Sequence, residues 1–260
     1  MNRYTLYLRR DSFIHSLDPR TKLFLSTAVF LISLTFKDFM ILGLLFLSEL
    51  IIISIFAKIS VKKIFVFLKP VVPLLLMAML LWPFFDKTGF LLFRFWIFGV
   101  YSGGIKTGLS MGFRILSMIT ASYILLFTTE QRDLVLAMVR LGLRYEYGLT
   151  LSIALRYVPT LAGIALTIVD AQKARALELE RGNFLQRIKK YVPILTPLIV
   201  YAIKMSQELA IAIESKAFGY GERTYFKTIK FRKRDWLCCL LASLLLSGAL
   251  ILRFYLGVGG

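Results

Sequence analysis

Along the first half of the chain, apolar residues come in long runs separated by short charged breaks. Leu23 to Phe36 is the first run, entered from about Thr21 and interrupted by Lys37-Asp38. Phe39 to Ala57 is the second, close to the roughly 20 residues that a helix needs to cross a bilayer. Ile64 to Phe85 is the third, with Pro70 and Pro73 near its start and Pro83 near its end. Ile105 to Thr128 is the fourth. Between these two, residues 86–104 form a loop whose aromatic piece, Phe90 to Phe98, suits an interfacial hairpin or half-helix. A last run, Asp235 to Leu256, contains Trp236 and carries Arg253 near its far end. The pattern predicts an all-α membrane protein with about five transmembrane helices. It divides the chain into 1–128 (leader and four spans), 129–234, and 235–260 (last span).

The stretch between the fourth and last runs is different. Glu130 to Arg234 holds 18 Lys/Arg and 9 Asp/Glu among its apolar residues, so its helices read as amphipathic. A short surface helix is expected from Glu130 to Leu141, ending near Gly142. A long one follows from about Glu146 to Arg181, interrupted at Pro159 and stopped by Gly182-Asn183. Leu161, Ile164, Ile168, Ala171 and Arg175 share one helix face. After Pro197, so do Leu198, Tyr201, Met205, Leu209, Ala212 and Lys216. Tyr-Val-Pro recurs at 157–159 and 191–193. The two helices read as a pseudo-repeated pair able to pack along these stripes.

Composition supports the membrane reading. The 260 residues are 58% hydrophobic with a mean hydropathy of +0.72, above the roughly half-apolar make-up of soluble domains. The formal charge of +18 would suggest nucleic acid in a soluble chain. Beside apolar spans it follows the positive-inside pattern, and no nucleic-acid partner is expected. With residues 1–22 in the cytoplasm, Lys58, Lys62, Lys63, Lys69 and the whole 130–234 region are cytoplasmic too. The outer loops then hold only Lys37, Lys87, Arg94 and Lys106. The leader is basic and has no signal-peptide cleavage pattern. Asp18 or Ser16 is placed to cap a helix, with Pro19 in its first turn. His15, the one histidine, reads as structural. Cys238 and Cys239 are adjacent, a spacing that suits neither a metal site nor a disulfide.

Two charges fall inside predicted spans. Glu49 lies ten residues into the second run and Arg114 nine into the fourth, roughly 14–15 Å deep at about 1.5 Å per residue. Buried charges are usually paired or functional; a Glu49–Arg114 ion pair is one reading, and the other is that each faces a polar groove separately or snorkels.

The most charged helical run is Val169 to Gly182, and it is echoed by Ala212 to Thr224. Each centres on a long basic side chain between small residues: Ala174-Arg175-Ala176 and Ser215-Lys216-Ala217. Small neighbours would let a partner's backbone approach while the cation reaches carboxylates or helix C-terminal carbonyls in a groove. An ordinary solvated helix end has the same spacing, and spacing alone leaves both readings open.

Four segments together resemble the transmembrane T component of energy-coupling factor transporters, a group that includes cobalt and nickel importers. They are Leu17-Asp-Pro-Arg-Thr-Lys22, Ala154-Leu-Arg-Tyr-Val-Pro159, Ala171-Gln-Lys-Ala-Arg-Ala176 and Glu214-Ser-Lys-Ala-Phe-Gly-Tyr-Gly-Glu-Arg-Thr224. The resemblance covers nearly the whole chain, in order. It implies a scaffold for an ATP-driven importer of vitamins or transition-metal ions. Two cytoplasmic ABC ATPase subunits (of EcfA or CbiO type) would bind the ends of long crossed coupling helices. A separate membrane S component would capture the substrate. It also implies that Ala174, Arg175 and Ala176 form the first ATPase-coupling motif, and Ser215, Lys216 and Ala217 the second. Ala176 stands where the family commonly has Gly, and Lys216 where Arg is usual.

Other classes fit less well. No Gly-x-x-x-x-Gly-Lys-Ser/Thr motif is present; Ser102-Gly-Gly-Ile-Lys-Thr107 lacks the spacing. No catalytic triad or metal cluster stands out, so neither a cofactor nor an enzymatic activity is expected, and the energy must come from a partner. A self-sufficient secondary transporter or channel, the main alternative, would show inverted repeats and broken spans with polar residues at mid-membrane. A lipid-processing enzyme would need clustered acidic or His residues.

Overall fold

A computed structural model describes residues 7–8, 10–86, 88–95, 98–178, 183–221 and 231–256. The chain forms two compact units, residues 1–142 with 229–260, and residues 143–228.

The first unit is organised on α5 (Ser102–Thr128), against which α1 (Pro19–Thr35), α2 (Phe39–Phe56) and α4 (Val72–Phe85) all pack. The helix starts follow from sequence. Asp18 caps α1 by accepting the Arg20 N–H at 2.9 Å, with Pro19 in the first turn. Asp38 caps α2 through the Met40 N–H at 3.1 Å. A short helix α3 (Val61–Leu68) and a 3₁₀ turn (Lys69–Val71) lead into α4. The aromatic loop is an antiparallel hairpin, β1 (Leu91–Phe95) with β2 (Phe98–Tyr101), its register broken by a bulge between Leu91 and Phe93. The Thr107 hydroxyl donates to Asp86 at 2.7 Å and ties the start of α5 to the end of α4. Hydrogen bonds from Thr107 and Thr88 hold the Asp86 carboxyl below the usual carboxylate range.

Gly104, Gly108 and Gly112 recur every four residues along α5, and the backbone of α4 lies against this ridge. A Cβ on Gly104 would sit 2.7 Å from Pro83 Cα, and one on Gly108 would sit 3.0 Å from the Met79 carbonyl oxygen. Without a hydrophobic force between helices in lipid, such close approach is how they gain packing energy.

Helices α1 and α5 run antiparallel and cap one another. The Lys22 ammonium, in the first turn of α1, donates to Thr128 O at 2.8 Å, at the C-terminus of α5. Arg114 of α5 donates to Ser33 O at 2.9 Å and Phe36 O at 2.7 Å, at the C-terminus of α1. Both cations meet carbonyls that no helical N–H reaches. Between them the buried Ser33 and Ser117 hydroxyls bond at 2.8 Å. The last helix, α9 (Lys233–Leu256), is fastened to α1 at both ends. Asp235, buried, accepts from the Asp18 N–H at 2.8 Å and the Thr21 hydroxyl at 3.3 Å, and Arg253 donates to Thr35 O.

The leader folds back onto the end where α2 and α5 finish and α3 begins. The Leu8 N–H donates to Phe127 O at 3.0 Å. His15 holds the turn: Nε2 donates to Leu8 O at 2.8 Å and Nδ1 meets the Ser12 hydroxyl at 2.6 Å. Leu8 O can only accept, so the neutral ring carries its proton on Nε2. Burial lowers the His15 pKa below its usual value and favours that neutral form. Ile14, Ile53, Ile59, Ile64, Leu68 and Phe127 make the core there.

The predicted runs match α1, α2, α3–α4, α5 and α9 closely, and α6 (Gln131–Arg140) takes the place of the short amphipathic helix. Among the described residues six helices are long and apolar enough to cross a membrane, at 39–56, 62–85, 102–128, 145–174, 186–214 and 233–253. The count differs from the expected five for two reasons. Helix α1, with 17 residues, is slightly short. The two helices read as amphipathic keep charge-free centres, Tyr157–Val169 and Tyr191–Ile203.

A Gly104→Ala variant should lose about 1–3 kcal/mol of stability, because its methyl meets the α4 backbone. Gly163→Ala, whose Cβ would meet nothing within 4 Å, should gain about 0.5–1 kcal/mol. Thermal unfolding in detergent measures both.

Candidate functional site

The second unit holds α7 (Tyr145–Ala174) and α8 (Phe184–Glu214). Helix α7 continues through Pro159, where an interruption was expected. Pro159 itself is exposed, and the helix keeps its assignment on both sides of it at the cost of one backbone hydrogen bond. Helix α8 starts at a capping box in which Asn183 and Gln186 exchange backbone and side-chain bonds, and it contains Pro193 and Pro197.

The two helices run antiparallel. The Tyr145 and Phe218 rings lie 6.2 Å apart at one end, and Gln172 Nε2 donates to Pro193 O at 3.3 Å toward the other. Pro197 explains that bond. It has no N–H to give to the carbonyl four residues back, so Pro193 O is free to accept from α7. The resemblance implied crossed helices; this pair is in contact near both of its ends.

The sheltered positions of α8 from Leu198 to Ile213 each have a sheltered counterpart on α7 at one constant offset. On α7 they include Tyr157, Leu161, Ile164, Ile168 and Gln172, and on α8 Leu198, Ala202, Met205, Leu209 and Ile213. Each partner lies 41 residues on. Tyr201, Ala171 and Ala212, placed on the stripes from sequence, are exposed instead.

The same offset runs through the helix ends. Helix α7 closes with the Leu177 N–H on Gln172 O at 3.1 Å and the Ala176 N–H on Lys173 O at 3.0 Å. Helix α8 closes with the Phe218 N–H on Ile213 O at 3.3 Å and the Ala217 N–H on Glu214 O at 2.9 Å. Both are Schellman turns, in which two bonds from beyond the helix satisfy its last carbonyls. Arg175 and Lys216 hold the same position in them, immediately before the left-handed residue. Ala176 and Ala217 are that residue, at φ 65° and 52°. Glycine adopts this conformation freely and alanine does not. The Gly that the resemblance implies at position 176 would adopt this conformation without strain.

All six motif residues, Ala174, Arg175, Ala176, Ser215, Lys216 and Ala217, are exposed. Among the described residues no hydrogen bond or ion pair engages the Arg175 or Lys216 side chain. The turns therefore hold two cations outward at geometrically equivalent sites. The tails of the charged runs, Leu179–Gly182 and Glu222–Thr224, lie outside the described residues, as does the expected stop at Gly182. Helix α7 ends before that stop, at the Ala176 turn.

Glu49 and Arg114 do not form the expected pair. Arg114 bonds the end of α1, as described above, and meets Met111 Sδ at 3.3 Å. Both carboxylate oxygens of Glu49 are buried, with no hydrogen-bond partner among the described residues. Equal depth in two spans did not decide the contact. The unpaired carbonyls of a short α1 stand closer to the guanidinium and match its fork. No cluster of three or more His, Cys, Asp or Glu able to hold a metal occurs among the described residues.

A family model described as cobalt transport protein, CbiQ, matches residues 10–226. This chain belongs to the family of energy-coupling factor transporter T components. Curated relatives, each named energy-coupling factor transporter transmembrane protein EcfT, agree over nearly the full length. The Streptococcus equi protein is 32% identical over 248 residues, 92% of either chain. The Lactococcus lactis protein is 32% identical over 95% of each. The Listeria innocua protein is 33% identical over 94% of this chain and 95% of its own. As a T component, the chain is a transporter subunit built of membrane helices, with two matching helix-end turns outside its first unit.

Ala176→Gly and Ala217→Gly should each stabilise the second unit by about 1 kcal/mol, while Ala174→Gly, in helical conformation, should destabilise it by about 0.5–1 kcal/mol. Hydrogen exchange at the ends of α7 and α8 reports both. A charge swap, Glu49→Arg with Arg114→Glu, should be at least as unstable in detergent melts as the worse single change. Rescue by the swap would restore the ion pair.

Proposed function

We propose that this T component couples two cytoplasmic ABC ATPase subunits to a membrane S component, through the exposed turns at Arg175 and Lys216. The observation that carries the reading is the equivalence of those turns. Two cations occupy the same cap position 41 residues apart, and neither side chain is bonded among the described residues. A T component without a nucleotide-binding motif must take its energy from partners. A dimer of ATPases offers two equivalent grooves for two equivalent plugs. Because α7 and α8 run antiparallel, the two turns lie at opposite ends of the pair. A 30-residue helix is roughly 45 Å long, which suits one ATPase subunit at each end.

This reading constrains the membrane arrangement. If α7 and α8 both crossed the bilayer, their C-terminal turns would face opposite sides, and cytoplasmic ATPases would reach only one. The pair is therefore assigned to the cytoplasmic interface, lying along it, with the N-terminus also cytoplasmic as the Lys/Arg distribution requires. Closure of the ATPase pair on ATP would shift the two turns, and α7 and α8 would pass this to an S component carrying a vitamin or a transition-metal ion. The chain itself performs no catalysis.

Arg175→Glu with Lys216→Glu should strip the ATPases from the purified complex and abolish ATP-driven uptake, with a cost of about 2–5 kcal/mol per lost contact. An intact complex with undiminished uptake would sink the proposal. Cysteines placed at 175 and 216 should both label from the cytoplasmic side only.

A further inference from the structure

We propose that α3 and the turn before it form a binding surface for the phosphate headgroups of anionic phospholipids. Lys58, Lys62, Lys63 and Lys69 are all exposed here, and no Asp or Glu occurs between Leu50 and Phe85 to neutralise them. Arg10 of the leader adds a further cation by donating to the Lys58 carbonyl.

The patch is rigidly mounted. Ile64 and Leu68 of α3 are 0% and 3% exposed and belong to the core under the leader. The opposite side of the helix carries Lys62, Phe65, Val66 and Lys69, spaced as one stripe. Phe65 and Val66 are 58% and 68% exposed. Large apolar residues between exposed lysines are poorly placed in water. They are well placed where a bilayer's acyl region meets its headgroups: the apolar groups enter the acyl edge and the lysine stems carry their charges out to phosphate.

The neighbouring elements put the patch at that depth. The end of α2 before it and α4 after it expose Ile52, Ile55, Leu74 and Met77, the surface of a lipid-facing span, while the polar leader lies on the other side. Orientation by the positive-inside rule needs only a count of basic residues. This arrangement goes further, because the charges are gathered on one anchored helix and the turns at its two ends, and no ion pair engages them among the described residues. The favoured partner is therefore a lipid rather than an acidic protein surface.

The test is the full chain reconstituted in nanodiscs of phosphatidylcholine with phosphatidylglycerol, then released for native mass spectrometry of retained lipid. The wild-type chain should retain phosphatidylglycerol in excess of its share, and added salt should weaken that excess. Replacing the four lysines by Gln should remove it, each lysine contributing up to roughly fivefold, whereas replacement by Arg should keep it. Should the fourfold Gln variant fail to fold, Lys62→Gln and Lys69→Gln singly must each lower the excess. The proposal is overturned by a wild-type chain with no preference, or by Gln variants with an unchanged one.

Discussion

The first unit depends on satisfying backbone carbonyls at helix ends inside or beside a membrane. Water is scarce there, and each unmade hydrogen bond is expensive. Helices α1 and α5 solve the problem for each other, Lys22 closing α5 and Arg114 closing α1. Arg253 reaches the same end of α1 from α9. Three basic side chains that would be liabilities in a span thus become its fastenings. The glycine ridge of α5 is then free to receive α4 closely, and Asp235 anchors the last helix where the first begins.

The second unit answers the same requirement locally. Its helices end in Schellman turns that satisfy their own carbonyls, so Arg175 and Lys216 are not consumed as caps. Arg114 is engaged by its own chain and, among the described residues, Arg175 is not, although both are arginines in or beside apolar helices. The difference marks Arg114 as a residue that serves the fold, and it supports the proposed role of Arg175. Alanine at the left-handed position of both turns accepts some backbone strain, and the turn keeps its shape because two hydrogen bonds and a flanking apolar residue hold it.

Much of this was legible from the order of residues. Apolar runs located the helices of the first unit to within a few positions, since the membrane requirement for unbroken apolar length is a one-dimensional property. Asp18 with Pro19 announced the start of α1. The repeated cation between small residues pointed to positions 174–176 and 215–217, and four segments in order pointed to the T-component family, which the full-length relatives bear out. The left-handed turns were less visible, because alanine stands where glycine would have signalled them. The 41-residue offset was obscured by the Tyr-Val-Pro triplets, which recur at a different spacing.

The sequence by itself determined that this is an all-α membrane protein of the T-component family, because hydrophobic length, charge asymmetry and short motifs are read along the chain. Tertiary structure alone decided where each buried charge goes. The expected partner of Arg114 was a carboxylate at matching depth, and the actual one is the frayed end of a neighbouring helix. Depth follows from counting residues, but contact depends on which helix ends beside which side chain. The same holds for Gln172, whose acceptor exists only because Pro197 leaves a carbonyl unpaired on the helix lying against it.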